Sequence, residues 1–249
     1  MSTSPILLIS LESAALRRAR MAAQLDAQAL DFEVIGCDFR RSARPAIAAW
    51  FAAHLPTVRP GALALSGAEL GCWASHLTAW TRIVLSGRGA GTVIEDDVVL
   101  APEFADCVRA LEADLADFDL VYLGTSSRSL SMRRITPIGD LRIHAPVGVV
   151  LNTWGYVVRT RWIERVLAQR SFALTMPIDH FLGGRAAVAG PRIGVLQPAC
   201  VDEDATTGRI SQIAPHTWRV DRLRIVEAGR RRFLRSRAGD WMQRIAAWL

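Results

Sequence analysis

The chain has 249 residues, 51% of them hydrophobic and 22% charged, with a net charge of +6. These figures describe one large folded domain with room for an appendage, and they exclude a disordered or fibrous polymer. All thirty basic residues are arginine, which rules out chemistry that needs a lysine, and no apolar run approaches the ~20 residues of a membrane-spanning helix.

In chain order, PILLISL (5–11) is a continuous apolar run of strand length, as a buried parallel strand requires. ESAALRRARMAAQLDAQAL then predicts a helix and FEVIG (32–36) a strand, followed by an irregular excursion around the short helix AIAAWFAAHL. Ser66 and Glu69 form an S-x-x-E capping box. Behind it Leu70, Trp73, Leu77, Trp80 and Val84 line one helical face. GTVI leads into three acids. A helix over about 102–116, the strand FDLVYLG (118–124) and a polar Arg/Ser-rich loop come next. Strand-like segments near 147–151 and 155–159, the helix TRWIERVLAQR, a short PIDHFLGG element and the strand RIGVL complete the domain. Strands alternating with helices predict an α/β fold with a mostly parallel central sheet flanked by helices.

Cys37, Cys72, Cys107 and Cys200 form no CxxC pair and show no metal-ligand spacing. No basic segment precedes the apolar N-terminal run and no small-residue cleavage site follows it. Reduced thiols and a cytoplasmic location are expected.

The segment TVIEDDVVL (92–100) holds the densest charge, Glu95, Asp96 and Asp97 in a row. In extended chain Glu95 and Asp97 point to one side and Asp96 to the other. Acids at the C-terminal end of a strand lie where open α/β sheets place their ligand crevice. Two readings stand: a Mg²⁺ or Mn²⁺ site built of hard oxygens, or a solvated turn paired with nearby arginines. A receiver-domain reading fails, because those acids sit near the chain start and are completed by a lysine.

Several blocks in order resemble glycosyltransferase family 25. They are ISLESAALRRARM (9–21), LSGAELGCWASHLTAW (65–80), VIEDDVVL, DLVYLG, TWGYVV (153–158) and MPIDHFL (176–182). The resemblance spans roughly residues 5–213. It implies a GT-A fold, a nucleotide-sugar donor, typically UDP-galactose, a divalent metal, and inversion at the anomeric carbon. It places Asp97, with Glu95 or Asp96, on the metal, and Asp179 as the base that deprotonates the acceptor hydroxyl; an Asp after Pro177 is also an ordinary helix cap. Ser10, where the family has Asn, Arg17 and Arg18 fall near the donor diphosphate, although both arginines also suit a solvated helix face. Ser75 and His76 come close to the donor site by family position; His76, four residues from Cys72 and four from Trp80, is read as a buried hydrogen-bonded histidine ahead of a metal ligand. Thr153, Trp154 and Tyr156 either line the donor or acceptor pocket or belong to the core. Asp202, Glu203 and Asp204 are either a plain acidic loop or, with His216 as a rival, the source of a further metal ligand.

Residues 1–214 form the expected catalytic domain, with 21 Arg and 21 acids. Residues 215–249 form a helical, Arg-rich amphipathic tail, with 9 Arg against Asp221, Glu227 and Asp240. Arginines interleaved with tryptophans suit an anionic membrane surface; docking on the domain is the main alternative, and nucleic acid the least favoured partner. The expected function is transfer of a hexose to a saccharide of lipooligosaccharide or a similar bacterial glycan. The rivals are a metal-dependent nucleotidyl- or phosphotransferase and a non-catalytic nucleotide-sugar-binding relative.

Overall fold

The computed structural model describes residues 5–56, 58–59, 65–126, 131–147, 149–169, 172–174, 176–185 and 190–204. The strands are β1 (Ile6–Ile9), β2 (Phe32–Ile35), β3 (Val58–Arg59), β4 (Ala90–Glu95), β5 (Val98–Leu100), β6 (Leu120–Tyr122), β7 (Ser131–Ile138), β8 (Leu141–Val147), β9 (Gly155–Arg159), β10 (Phe172–Ala173), β11 (Ile193–Leu196) and β12 (Val201–Glu203). The helices are α1 (Ala15–Asp26), α2 (Arg44–His54), α3 (Gly67–Leu85), α4 (Phe104–Ala113), α5 (Thr160–Leu167) and the single turn α6 (Ile178–His180). The tail 215–249 and His216 lie outside the described residues.

Eight strands form one sheet in the order β2-β1-β4-β9-β6-β11-β8-β7. It is a large, mostly parallel sheet in which β9 and β8 run against the rest. Successive side chains alternate between two cores, as the pleat demands. Leu7, Val93 and Tyr156 face the core shared with α3 and α5. Ile6, Leu8, Ile94 and Val157 face the core shared with α1 and α4. Helices on both faces explain why β1 and β4 read as unbroken apolar runs.

Helix α3 carries the site and is fixed at its start. Ser66 Oγ accepts the Glu69 N–H at 3.2 Å, and Glu69 Oε2 accepts the Ser66 N–H at 2.6 Å. Its apolar face is anchored by aromatic edges: Trp80 meets Trp162 at 5.3 Å and Trp73 meets Phe181 at 5.2 Å between ring centres. Gly71 lets the helix pass against the loop at Cys37, whose carbonyl oxygen would lie 2.5 Å from an added Cβ.

Two expectations need correction. The polar stretch after DLVYLG contains the antiparallel hairpin β7–β8, closed by Gly139 at φ +56° and Asp140. Its arginines and Pro137 suit an edge strand but hide the alternation that would reveal it. The apolar segment near 147–151 is not a strand, since β8 ends at Val147 and residues 149–151 adopt no regular structure. The small ribbon of β12 on β5 is likewise invisible in the sequence.

Candidate active site

Strands β1 and β4 run side by side and end together, with Ile9 opposite Glu95. The alternation along β4 decides where the acids go. Val93 faces α3 and Ile94 faces α1, so Glu95 turns to α3 and Asp96 to α1.

Glu95 lands among donors. Thr153 Oγ1 donates to Glu95 Oε1, and His76 Nε2 lies 3.4 Å from the same oxygen. The other ring nitrogen of His76, Nδ1, is 2.7 Å from the Tyr156 hydroxyl, which accepts the Trp80 indole N–H at 3.0 Å. Burial pushes the Glu95 carboxyl up, but His76, Thr153 and Arg17 together outweigh it and hold the group below its ordinary value. Glu95 therefore stays ionised.

Its two neighbours are the opposite case. Arg17 pairs with Asp96 Oδ1 at 3.1 Å, while Ser10 Oγ sits beside Asp96 without a fully formed hydrogen bond. Burial, with Glu95 adding to it, still raises the Asp96 carboxyl against Ser10 and Arg17. Asp97 is pushed up to about 7 by burial first, then by the charges of Glu95 and Asp96, with Arg17 opposing. Asp96 Oδ2 and Asp97 Oδ1 are buried with no hydrogen-bond partner among the described residues. Unpaired hard oxygens on carboxyls that burial makes reluctant to ionise are able to take up a divalent cation. The donor set fits Mg²⁺ or Mn²⁺.

Asp179 stands in the same electrostatic neighbourhood, since it and Glu95 both press on the Cys72 thiol and the Tyr122 phenol. Its Oδ1 accepts the His180 N–H at 2.8 Å, within α6. Pro177 is the N-cap of that turn, so the cap role anticipated for Asp179 itself falls two residues earlier. Asp179 keeps about a third of its side chain exposed, at 32%.

The remaining candidates divide. Arg18 turns back to the Leu11 carbonyl at 3.2 Å. The Ser75 hydroxyl donates to the Gly71 carbonyl and accepts the Cys37 N–H, each at 2.9 Å, and thereby ties α3 to the loop after β2. Trp154 is buried in the α1–α4 core, although its carbonyl accepts the Glu95 N–H at 2.9 Å. Tyr156 acts through its hydroxyl from within the α3 core. Asp202 and Glu203 are exposed on β12. Asp204 reaches the site, its N–H donating to the Asp97 carbonyl at 3.0 Å and its Oδ2 lying 3.7 Å from Arg20. The close approach of β12 rests on Gly124, where a Cβ would meet the Val201 carbonyl oxygen at 1.8 Å.

Comparison with known proteins gives the family of the chain. The model of "Glycosyltransferase family 25 (LPS biosynthesis protein)" matches residues 3–182. The chain belongs to glycosyltransferase family 25. Among curated family 25 relatives, procollagen galactosyltransferase 1 of Danio rerio is 30% identical over 125 residues, 47% of this chain and 20% of that protein. The inactive glycosyltransferase 25 family member 3 of Homo sapiens is 29% identical over 122 residues, 47% of this chain and 20% of its own length. A probable inactive member from Rattus norvegicus aligns over 197 residues at 25% identity, 73% of this chain and 33% of its length. The chain thus spans a fifth to a third of these family 25 relatives.

Two residues of the site were missed in the sequence. Tyr122, in DLVYLG, has a fully buried hydroxyl with no hydrogen-bond partner among the described residues. Cys72 stands one helical turn before His76, and its thiol, His76 and Glu95 bring their ligand atoms within 4.8 Å of one another. The four-residue step from Cys72 to His76 is visible in the sequence, where a buried hydrogen-bonded histidine is favoured over a metal ligand and Cys72 is given no role.

Proposed function

We propose that the chain is a GT-A-type, inverting, divalent-metal-dependent glycosyltransferase. It moves a hexose, galactose from UDP-galactose foremost, to a saccharide acceptor of lipooligosaccharide or a similar bacterial glycan. The observation that carries this reading is the pair of unpartnered buried oxygens, Asp96 Oδ2 and Asp97 Oδ1, at the C-terminal end of β4. Family membership and a relative whose name contains galactosyltransferase support the reaction class and the sugar.

Asp97 and Asp96 would hold Mn²⁺ or Mg²⁺, with Glu95 beside them. When bound, such an ion supplies positive charge to a departing diphosphate. Arg17 orients Asp96 and adds a fixed cation to the same crevice. Asp179 takes the proton of the acceptor hydroxyl as the new bond forms, a role that needs a partly exposed carboxylate facing the acids. The test is a nucleotide-sugar panel read as UDP release, with Mn²⁺ present or chelated. Mn²⁺-dependent UDP from UDP-galactose supports the reading; release of pyrophosphate or AMP instead would replace it with a nucleotidyl- or phosphotransferase.

The names of the inactive relatives favour one second reading, a non-catalytic nucleotide-sugar-binding protein. Calorimetric binding of UDP-galactose without turnover of any donor would establish it. The basic tail is proposed to hold the protein at the cytoplasmic face of an anionic membrane near its acceptor. Unchanged cosedimentation with anionic vesicles after deletion of 215–249 would remove that part. Among the described residues no helix is long and apolar enough to cross a membrane.

A further inference from the structure

The α3 side of the site has a chemistry that the transfer reaction leaves unused. His76 is fully buried, yet its Nε2 has no hydrogen-bond partner among the described residues. An unpaired buried polar atom is costly and asks for an explanation. Glu95 Oε1, at 3.4 Å, lies beyond ordinary hydrogen-bond length. That separation matches something else. Two ligands at about 2.0–2.1 Å from a tetrahedral ion stand about 3.3 Å apart along the tetrahedron's edge. Cys72, one turn earlier on α3, completes a triad of thiol, imidazole and carboxylate within 4.8 Å.

We propose that Cys72 Sγ, His76 Nε2 and Glu95 Oε1 form a binding site for a thiophilic divalent ion of the Zn²⁺ class. The supporting shell is already built. Tyr156 engages His76 Nδ1 at 2.7 Å and is itself held by Trp80, which fixes the ring with Nε2 toward Glu95; metal-bound histidines are oriented in this way through their second nitrogen. Cys72 and Glu95 are each partly exposed, so an ion has a way in. Burial first, then the charges of Glu95, Asp179 and Asp97, raise the Cys72 thiol, so an ion bound here displaces a proton. A thiolate beside an imidazole selects Zn²⁺ or Co²⁺ over Mg²⁺ or Mn²⁺. One consequence rests on the transferase reading above. Glu95 borders both sites, so Zn²⁺ here inhibits Mn²⁺-supported transfer.

The experiment is a Co²⁺ titration of the reduced full-length chain, followed by absorption. A thiolate-to-cobalt charge-transfer band at one equivalent, bleached by Zn²⁺ and missing in Cys72→Ser, is the expected result. Binding without that band, or a band that survives in Cys72→Ser, overturns the proposal. Because His76→Ala could collapse the core, His76→Gln is the second variant. It is expected to weaken Zn²⁺ at least about tenfold in competition with a chromophoric chelator, and unchanged affinity also overturns the site. The transfer assay is a separate arm. If no donor turns over while the cobalt band appears, the function reading fails and the metal site stands. If Mn²⁺-supported transfer proceeds at saturating Zn²⁺, the overlap at Glu95 is wrong.

Discussion

Glu95 closes β4 and Asp97 stands two residues on in the turn that follows, yet their surroundings drive them in opposite directions. Glu95 meets Thr153 and the ring of His76, and is held ionised below its ordinary range. Asp97 meets burial and two like charges, and is pushed up to about 7. One acid is provided for by the protein and the other is left needing a partner. An acidic triplet is therefore not a uniform negative patch; the orphaned member is the place for a hard cation, while the partnered one stays charged without it.

The sharpest way to break this contrast is to remove the orphan. In Asp97→Asn, Mn²⁺-dependent UDP release is expected to fall by several kcal/mol of transition-state stabilisation, roughly 10³-fold or more. A variant that retains Mn²⁺-dependent turnover within tenfold of wild type would move the cation off Asp97. Next in size, Asp179→Asn is expected to lower kcat by about 10²–10⁴-fold while UDP-galactose still binds, as measured by calorimetry. Wild-type kcat in that variant would leave the acceptor proton to another group.

Stability gives the same contrast a sign. A carboxyl at 3.8 in the unfolded chain and about 7 in the folded one binds more protons when folded between those values. The metal-free protein therefore loses stability through Asp97 as pH rises from about 4 to 7, and carries the full penalty above 7. The ceiling on this penalty is on the order of 4 kcal/mol. Glu95 contributes the opposite way, its share being present above its ordinary value of 4.5 and lost only as pH falls below it. Asp97→Asn is accordingly expected to melt several degrees higher than metal-free wild type at pH 8, with the gap closing toward pH 4. A lower melting temperature at pH 8 would contradict the burial that raises Asp97. Gain in stability with loss of activity is the expected mark of a site kept strained for function.

How much of this was legible beforehand follows from the kind of signal each feature leaves. The capping box at Ser66, the α3 apolar face and the runs of β1 and β4 are local patterns, and they are found where the residues predict them. The split of Glu95 from Asp96 follows from the two-residue period alone. Partnership does not. Nothing in the order of residues states that Thr153 and His76, 58 and 19 positions from Glu95 in the chain, converge on one of its oxygens. Trp154 and Tyr156 belong to one motif, yet they sit in different cores. The hairpin β7–β8 was illegible for another reason, since charged residues and a proline in an edge strand break its apolar period.

The finest test asks whether the partnered acid depends on its second layer. Tyr156→Phe removes one oxygen and leaves the Trp80 indole N–H and His76 Nδ1 without their partner. Each orphaned buried group costs about 1–3 kcal/mol, so the melting temperature should fall by several degrees. The effect on transfer should be smaller than at Asp97 or Asp179, because Thr153 still donates to Glu95. About tenfold weaker binding of the activating metal is expected, with kcat at saturating metal nearly unchanged. A melting temperature equal to wild type would mean that the Trp80–Tyr156–His76 chain is not formed. A lower melting temperature with unaltered metal affinity would show that Thr153 alone orients Glu95, and that the imidazole beside it answers to a different ligand.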